Sequence, residues 1–531
     1  MSEALVLEVD NCVTSIVQGK LNKDQYQGFR RALGWRPEDY KFAVKAYAEK
    51  MRSQAIAKGY SYDRVQQEYK RAMEWDGYQS NVRYNAGHCG FRQKRKYTHF
   101  DTGLLSNARE FFDKYNIPYS LIDSRGPEPK RDQDLVMSEW FEERDYQTKA
   151  RKQAVLQKRG IIKCSTGGGK TGIAASIISD LGVAPFIFYV TSIDLLQQAY
   201  DELTKFIRHN GVPLEVGRVG GGHKDIKDIT VMTVQTAIKS LDEKYVSYDA
   251  EESKIKDKTD YSDIKQDIKD LIRGAKGIVA DEIQHWASKT AQVISDHSES
   301  AYYKYGMSAT PWRDMGDDIL IDACFGKTIC DISASFLIRR GYLVKPEIYF
   351  INVPDPNCGY KTYQKIYKHA LKENDFRNEY IAKLTNKFYE SGKHPLCLVN
   401  HIDHGDVLNG LINESSFIHG SVSKKKREAH LDLMRERKCG PTIATSIFDE
   451  GVDVKPLDAL ILAGSGKSAT RALQRIGRII RPWPNVDNNQ KKSAVAIDFM
   501  DSCKYLNEHA KKRLKIYQTE PEFDIKFLDL K

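Results

Sequence analysis

Apolar positions along the chain change their period twice. Over residues 26–75 they recur at mixed spacings of three and four, as at Ala43, Ala46, Tyr47 and Met51, among Lys, Glu and Gln, which is the stripe of a half-buried helix. An N-terminal helical region over 1–80 is therefore expected. Between 81 and 96 the text turns to Gly, His and basic residues, after which 103–115 carries a helical period and 119–123 that of a short strand. This predicts a small α+β accessory domain over 81–133. The stretch SRGPEPKRDQD at 124–134 combines Gly, two prolines and mixed charge and reads as a linker. From residue 144 onward, short continuous apolar runs alternate with helical text: 160–163, 186–190, 229–233, 277–280 and 304–307, then 396–400, 416–419, 442–445, 459–462 and 494–499. Runs of this kind suit parallel strands covered on both faces. The predicted class is α/β, with two tandem parallel-sheet domains flanked by helices, over 134–335 and 336–531. The charged tract 251–273 reads as a solvated helical insertion within the first of them.

Composition narrows the classes. The chain has 531 residues, 41% hydrophobic and 29% charged, enough for several buried cores. Its apolar runs are far shorter than the roughly 18 residues a membrane span requires. The net charge of +10 permits a polyanionic partner without requiring one. Nine scattered cysteines form no C-x-x-C pair and read as reduced thiols. The opening MSEALVLEVDN is acidic and lacks the basic start and apolar core of a secretory signal, so an intracellular protein is expected.

Three segments carry chemistry. After the run at 160–163 comes Cys164-Ser-Thr166-Gly167-Gly168-Gly169-Lys170-Thr171, followed by helical text. A phosphate-binding loop needs a flexible turn of N–H groups, a Lys for the β and γ groups, and a hydroxyl for Mg²⁺. All three are present, although Cys164 stands where Gly or Ala is usual. The run at 277–280 ends in Asp281-Glu282-Ile283-Gln284-His285. There Asp281 is placed to hold Mg²⁺ and Glu282 to activate the attacking water. The spacing is that of the H-E-x-x-H pattern of a zinc protease, but Asp281 stands where its first His is needed, so that reading fails. Gln474-Arg475-Ile-Gly-Arg478-Ile-Ile-Arg481 puts two arginines three apart, on one face of a helix, ready to neutralise a γ-phosphate. Gly464-Ser-Gly466-Lys467-Ser468 imitates a second phosphate loop, but too little loop precedes it, and it reads as a connection. Gly306-Met-Ser308-Ala-Thr310 lacks the last Gly of a hydrolase nucleophile elbow.

In this order, with Ser308-Ala-Thr310-Pro between the second and third, the segments resemble the helicase superfamily 2 core over about 144–517. The resemblance implies RecA-like folds for both α/β domains, with ATP and Mg²⁺ as cofactors. Arg144, Tyr146 and Gln147 resemble the adenine-reading motif. Ser308 and Thr310, with His285 as partner, resemble the motif coupling hydrolysis to domain movement. Thr191, Thr233, Thr236, Asn400 and Thr445 match nucleic-acid contacts, and Gly451 and Asp453 match nucleotide contacts. Gln474 belongs with the arginines, and Thr171 and Asp281 are the implied metal ligands. The Ile283-Gln284-His285 continuation differs from the Ala-Asp of RNA helicases. The chain is similar to phage DNA helicases of the UvsW type, related to RecG-like and XPB-like enzymes. Supporting text lies at 102–105, 122–125, 498–501 and 509–513. That likeness implies a monomeric motor on forked, branched or displacement-loop DNA in replication, recombination or repair, with proteins of those processes as partners and no membrane. It also implies a place in the cytoplasm, the host's for a phage protein. The basic cluster Arg92, Lys94, Arg95 and Lys96 is expected to contact the duplex or junction arm. An RNA helicase and the motor subunit of a restriction-type complex are the alternatives.

Overall fold

A computed structural model describes residues 4–36, 40–58, 60–73, 79–84, 98–241, 261–286, 289–312, 317–356, 359–445, 454–466, 468–483, 491 and 493–529. By packing, the chain falls into two units: Met1–Lys163 with Lys170–Asp331, and Ile332–Lys531 with Cys164–Gly169. Each is built on a large sheet, as the apolar runs predict.

In the first unit the sheet order is His223–Asp225, Val216–Gly220, Ile229–Thr233, Phe186–Val190, Gly277–Ala280, Tyr303–Ser308, Arg159–Cys164 and Thr328–Ile332. The strands from Val216–Gly220 through Arg159–Cys164 pair in parallel. Phe186–Val190, Ile229–Thr233 and Gly277–Ala280 are buried at every position, which explains their unbroken apolar text. The helix Lys265–Gly274 packs Ile268, Leu271 and Ile272 into the same core. This part of the charged tract is therefore a core helix with a charged outer face and not a solvated insertion; 251–260 lie outside the described residues.

The second unit has seven strands, all parallel, in the order Ser416–Ile418, Thr442–Ala444, Pro395–Leu398, Ala459–Ile461, Ala494–Asp501, Pro346–Val353, Asp524–Asp529. Two of them, Pro346–Val353 and Asp524–Asp529, extend the sheet beyond the five predicted runs.

The region before residue 134 departs most from expectation. Leu5–Val9 and Val13–Gln18 are strands, not part of a helical region, and they join Arg83–Tyr84, Thr98–Asp101 and Tyr119–Asp123 in one five-stranded sheet. A boundary at 80/81 therefore cuts through a single sheet. Helices Lys23–Ala32 and Leu105–Lys114 cover it through Phe29, Phe111 and Phe112, with Phe29 stacked on Phe112 at 5.1 Å between centroids. The expected helices are present as well, at Tyr40–Ala57 and Tyr62–Met73.

This sheet is fastened to the large sheet of the first unit. Ala323 and Ile319 belong to its apolar cluster, and a Cβ on Gly103 would stand 2.1 Å from the Asp322 carbonyl oxygen. The segment 124–134 is likewise anchored: Arg131 donates to the carbonyls of Ser179, Asp180 and Leu135 at 3.0, 3.0 and 2.6 Å, and Tyr303 donates to Glu128 at 2.9 Å. The linker expected from its composition is a strap on the first unit.

Candidate active site

The strand Arg159–Cys164 ends at a turn whose Gly167 and Gly169 have φ of +84° and +77°. Side chains rarely adopt such angles, so glycine is required at both. Gly168 has a different reason: a Cβ there would meet the Cys164 sulfur at 2.5 Å. Cys164, wholly buried, thus packs beneath the loop at the position where a smaller residue is usual. Lys170 opens the buried helix Lys170–Leu181, with Thr171 next. A glycine cradle at a helix N-terminus, with a lysine and a hydroxyl at its mouth, has the donor set for a triphosphate and its magnesium ion.

The lysine head meets the acidic pair at the carboxyl end of Gly277–Ala280. Its Nζ lies 2.9 Å from Glu282 Oε1 and 3.7 Å from Asp281 Oδ1. Glu282 has φ of +50°, a conformation costing about 1–3 kcal/mol in a non-glycine residue. Its N–H donates to Asp281 Oδ1 at 2.9 Å. Below it the 3₁₀ turn Ile283–His285 is pinned by the buried Trp286, edge-on to Tyr189 and Phe325. Burial lifts Asp281 to about 6, with the neighbouring Glu282 charge adding to it against Lys170. For Glu282 burial is outweighed by the Lys170 charge and by bonds from Gln284 and Lys170, and its carboxyl stays below the ordinary glutamate value. Of the two acids, Glu282 is the one held firmly ionised, as a base that orients water must be.

Gln284, which the sequence reading left without a role, links this pair to the coupling segment. Its Nε2 donates to Glu282 Oε2 at 2.9 Å, and its Oε1 accepts from the Ser308 hydroxyl at 2.6 Å. Ser308 Oγ in turn accepts from the Thr310 N–H at 2.9 Å. The sequence expects His285 to partner the segment of Ser308 and Thr310; the bond to Ser308 itself is made by Gln284. Gly306 lets the two elements approach, since a Cβ there would meet Ile283 at 2.9 Å.

The residues expected to read adenine sit beside the phosphate-loop helix Lys170–Leu181. Gln147 Oε1 accepts from the Arg144 N–H at 2.9 Å, and Arg144 Nη1 donates to the Tyr146 hydroxyl at 2.9 Å. Both Tyr146 and Gln147 are buried, and Gln147 Nε2 comes within 3.8 Å of the Cβ position of Gly172 on the phosphate-loop helix. Gln147 is near the helix start as expected, whereas Tyr146 is packed inward.

Most of the nucleic-acid candidates that the structure describes are buried. Thr233 and Thr236 are buried, their hydroxyls bonded to each other at 2.8 Å, and Thr233 caps the helix Val234–Ser240. Thr191 is buried and its carbonyl accepts from Gln235 at 2.9 Å. The Thr233 and Thr236 hydroxyls face inward and brace the turn that starts this helix. Asn400 donates to the Gly464 carbonyl at 2.6 Å, a loop contact of its own, and Thr445 is nine-tenths buried. Arg92, Lys94, Arg95, Lys96, Gly451 and Asp453 lie outside the described residues.

In the second unit the helix Ala469–Ile479 carries Gln474 and Arg478, but it ends before Arg481. The two arginines therefore do not share a helical face as their spacing predicts; Arg481 follows the helix end. Within this unit, a Cβ on Gly167 would lie 3.5 Å from the Arg481 Cγ, and one on Gly477 2.7 Å from the Thr166 Cβ.

Two family patterns match the chain: "Type III restriction enzyme, res subunit" over 133–313, and "Helicase conserved C-terminal domain" over 379–482. They meet the two sheets in the order the motifs require. The chain belongs to helicase superfamily 2. This helicase is 26% identical over 420 residues to the "DNA 3'-5' translocase XPB2" of Sulfurisphaera tokodaii, covering 71% of its own length and 85% of the relative's. It is 23% identical over 467 residues to the "ATP-dependent DNA helicase uvsW" of Enterobacteria phage T4, covering 81% and 86%. Among solved structures, the Type ISP restriction-modification enzyme LlaBIII bound to DNA aligns with a TM-score of 0.50 at 16% identity, over 80% of the helicase and 34% of that chain. That likeness concerns the fold. No helix among the described residues is long and apolar enough to cross a membrane.

Proposed function

We propose that the chain is an ATP-dependent DNA motor that unwinds or branch-migrates forked, branched or displacement-loop DNA. The observation that carries the ATPase reading is Lys170, set at the mouth of a glycine cradle and meeting Asp281 and Glu282 at the carboxyl edge of a buried parallel sheet. Gly167 to Gly169 and Lys170 cradle the phosphates, and Thr171 and Asp281 hold Mg²⁺, which supplies charge neutralisation on the transferred group. Glu282 orients and deprotonates water. Gln147 and Arg144 read the adenine, and Gln474, Arg478 and Arg481 answer to the γ-phosphate. The contact chain through Gln284 to Ser308 and Thr310 carries the state of Glu282 to the segment leading out of the first lobe. We take the lobes as 134–335 and 336–531.

The similarity to the archaeal translocase and the phage T4 helicase supports DNA as the track. The resemblance to branched-DNA helicases, with the accessory sheet fixed to the first lobe, supports a junction as the substrate. The test compares ATP hydrolysis and strand separation on single strands, duplex, forked DNA and RNA. Forked DNA is expected to be the best activator and substrate, with affinity falling steeply as salt rises. Preference for RNA would overturn the DNA reading, and equal use of all DNA forms would overturn the junction reading.

A further inference from the structure

Two buried arginines of the second unit stand outside the nucleotide chemistry described above. Arg377, on the helix Asp375–Glu390, is wholly buried. It donates from Nε to Asp501 Oδ1 at 2.8 Å, from Nη1 to the Ala463 carbonyl at 3.0 Å, and from Nη2 to the Ser465 hydroxyl oxygen at 3.0 Å. Arg513, on the helix Lys504–Tyr517, grips Asp498 with Nε and Nη2 at 2.8 and 2.7 Å, and its Nη1 donates to the Gly466 carbonyl at 2.6 Å. Ser465 donates its own proton to Asp501 Oδ2 at 2.8 Å. Asp498 and Asp501 both lie on the strand Ala494–Asp501. Two neutralised guanidinium forks thus converge on one loop, at Ala463, Ser465 and Gly466.

Buried ion pairs are weak evidence for stability, because desolvation offsets much of their attraction. What these pairs do visibly is hold a strained turn: Ser465 has φ of +45°, in the region that favours glycine. The loop leads to Ser468, whose side chain accepts from the Arg471 N–H and caps the helix that carries Gln474 and Arg478. A helix is a lever. With a rise of about 1.5 Å per residue, Arg478 lies about 15 Å from the cap, and a tilt of about 10° there moves it by roughly 2–3 Å. A displacement of about 1 Å in a group that meets the reacting atoms is enough to cost about 100-fold in rate.

We propose that Arg377 and Arg513 are positioning residues for ATP hydrolysis, fixing through the loop 463–466 the start and direction of the helix that presents Gln474 and Arg478 and leads into Arg481. This rests on those three residues answering to the γ-phosphate. The loop that imitates a phosphate cradle in sequence is, on this view, the seat of the arginine helix.

The test uses Ser465→Gly and Arg513→Lys in the full-length protein. Glycine is at ease at positive φ, so Ser465→Gly removes both hydroxyl bonds without adding backbone strain. Arg513→Lys keeps a cation for Asp498 but loses the fork on it and the bond to Gly466. For both, kcat of DNA-stimulated ATP hydrolysis is expected to fall about tenfold, with KM for ATP held within about twofold. For Ser465→Gly the melting temperature should stay within about 3 °C of the parent. Wild-type kcat in a folded Ser465→Gly protein would overturn the proposal, as would a rise in KM at unchanged kcat. So would a loss of activity that follows the fraction unfolded. Absence of DNA-stimulated hydrolysis in the unaltered protein would instead overturn the motor reading itself.

Discussion

Lys170 and Glu282 form a 2.9 Å ion pair across the mouth of the glycine cradle, 112 residues apart in sequence. The lysine is thereby held among carboxylates at the place where a phosphate would need it. Its removal leaves two partly buried acids facing each other with no cation. Lys170→Ala is expected to lower DNA-stimulated ATP hydrolysis by at least about 100-fold while the protein still melts cooperatively. Steady-state phosphate release beside a melting curve checks both parts.

The bonds from Glu282 through Gln284 to Ser308 make the proposed coupling testable apart from hydrolysis itself. Glu282→Gln keeps the shape and loses the base, so turnover should fall about 100-fold or more with ATP still bound. Gln284→Ala and Ser308→Ala cut the link instead. They should retain hydrolysis within about tenfold and lose more of strand separation than of ATPase, read as base pairs opened per ATP consumed. Equal loss of both would remove Gln284 from the coupling path.

Gly103 fixes the accessory sheet to the first motor sheet. A methyl group there would stand 2.1 Å from the Asp322 oxygen and 2.3 Å from the Ala323 oxygen, both backbone atoms with little room to retreat. Gly103→Ala should cost about 2–3 kcal/mol, the upper range for overpacking, measurable by chemical denaturation. Gly126→Ala is no neutral control, since its φ of +83° strains any side chain; Gly274, with open space and no such angle, serves instead.

Stability should also depend on pH through Asp296 in the same junction. Burial, with the Asp101 charge beside it, raises Asp296 to about 7 against the pull of Arg83 and Lys304. Arg83 Nη1 lies 3.8 Å from Asp296 and Nη2 3.1 Å from Asp101. Because the folded value exceeds the unfolded one near 3.8, the folded state binds the extra proton between about pH 4 and 7. Stability from this group is thus present below pH 4 and is lost as pH rises to 7, with a slope of at most about 1.4 kcal/mol per pH unit. Asp296→Asn should flatten that part of the stability profile.

Much of the motor was legible along the chain. The runs at 186–190, 229–233 and 277–280 coincide with strands, because a strand covered on both faces must be apolar at every position. The phosphate loop and the acidic pair were legible because backbone demands are local: glycine at positive φ and a lysine at the first helical position. The failures have a different character. Leu5–Val9 and Val13–Gln18 are short strands that pair with each other and whose outer neighbours lie some 80 to 115 residues away, and their text was absorbed by the helical period that follows. In the helix Lys265–Gly274 the number of charges hid the spacing of Ile268, Leu271 and Ile272.

The sequence by itself determined which segments are buried strands, where the chain turns on glycine, and which charged residues stand at strand and helix ends, since those follow from neighbours in the chain. Only the tertiary structure decided which groups meet: Gln284 bonds Ser308, Thr233 and Thr236 turn their hydroxyls toward each other, and Arg377 and Arg513 seize the loop at 463–466. Burial is a property of a residue and its local period, whereas a hydrogen bond to a distant partner requires two backbones to be brought within about 3 Å, and that distance is set by the packing of the whole unit.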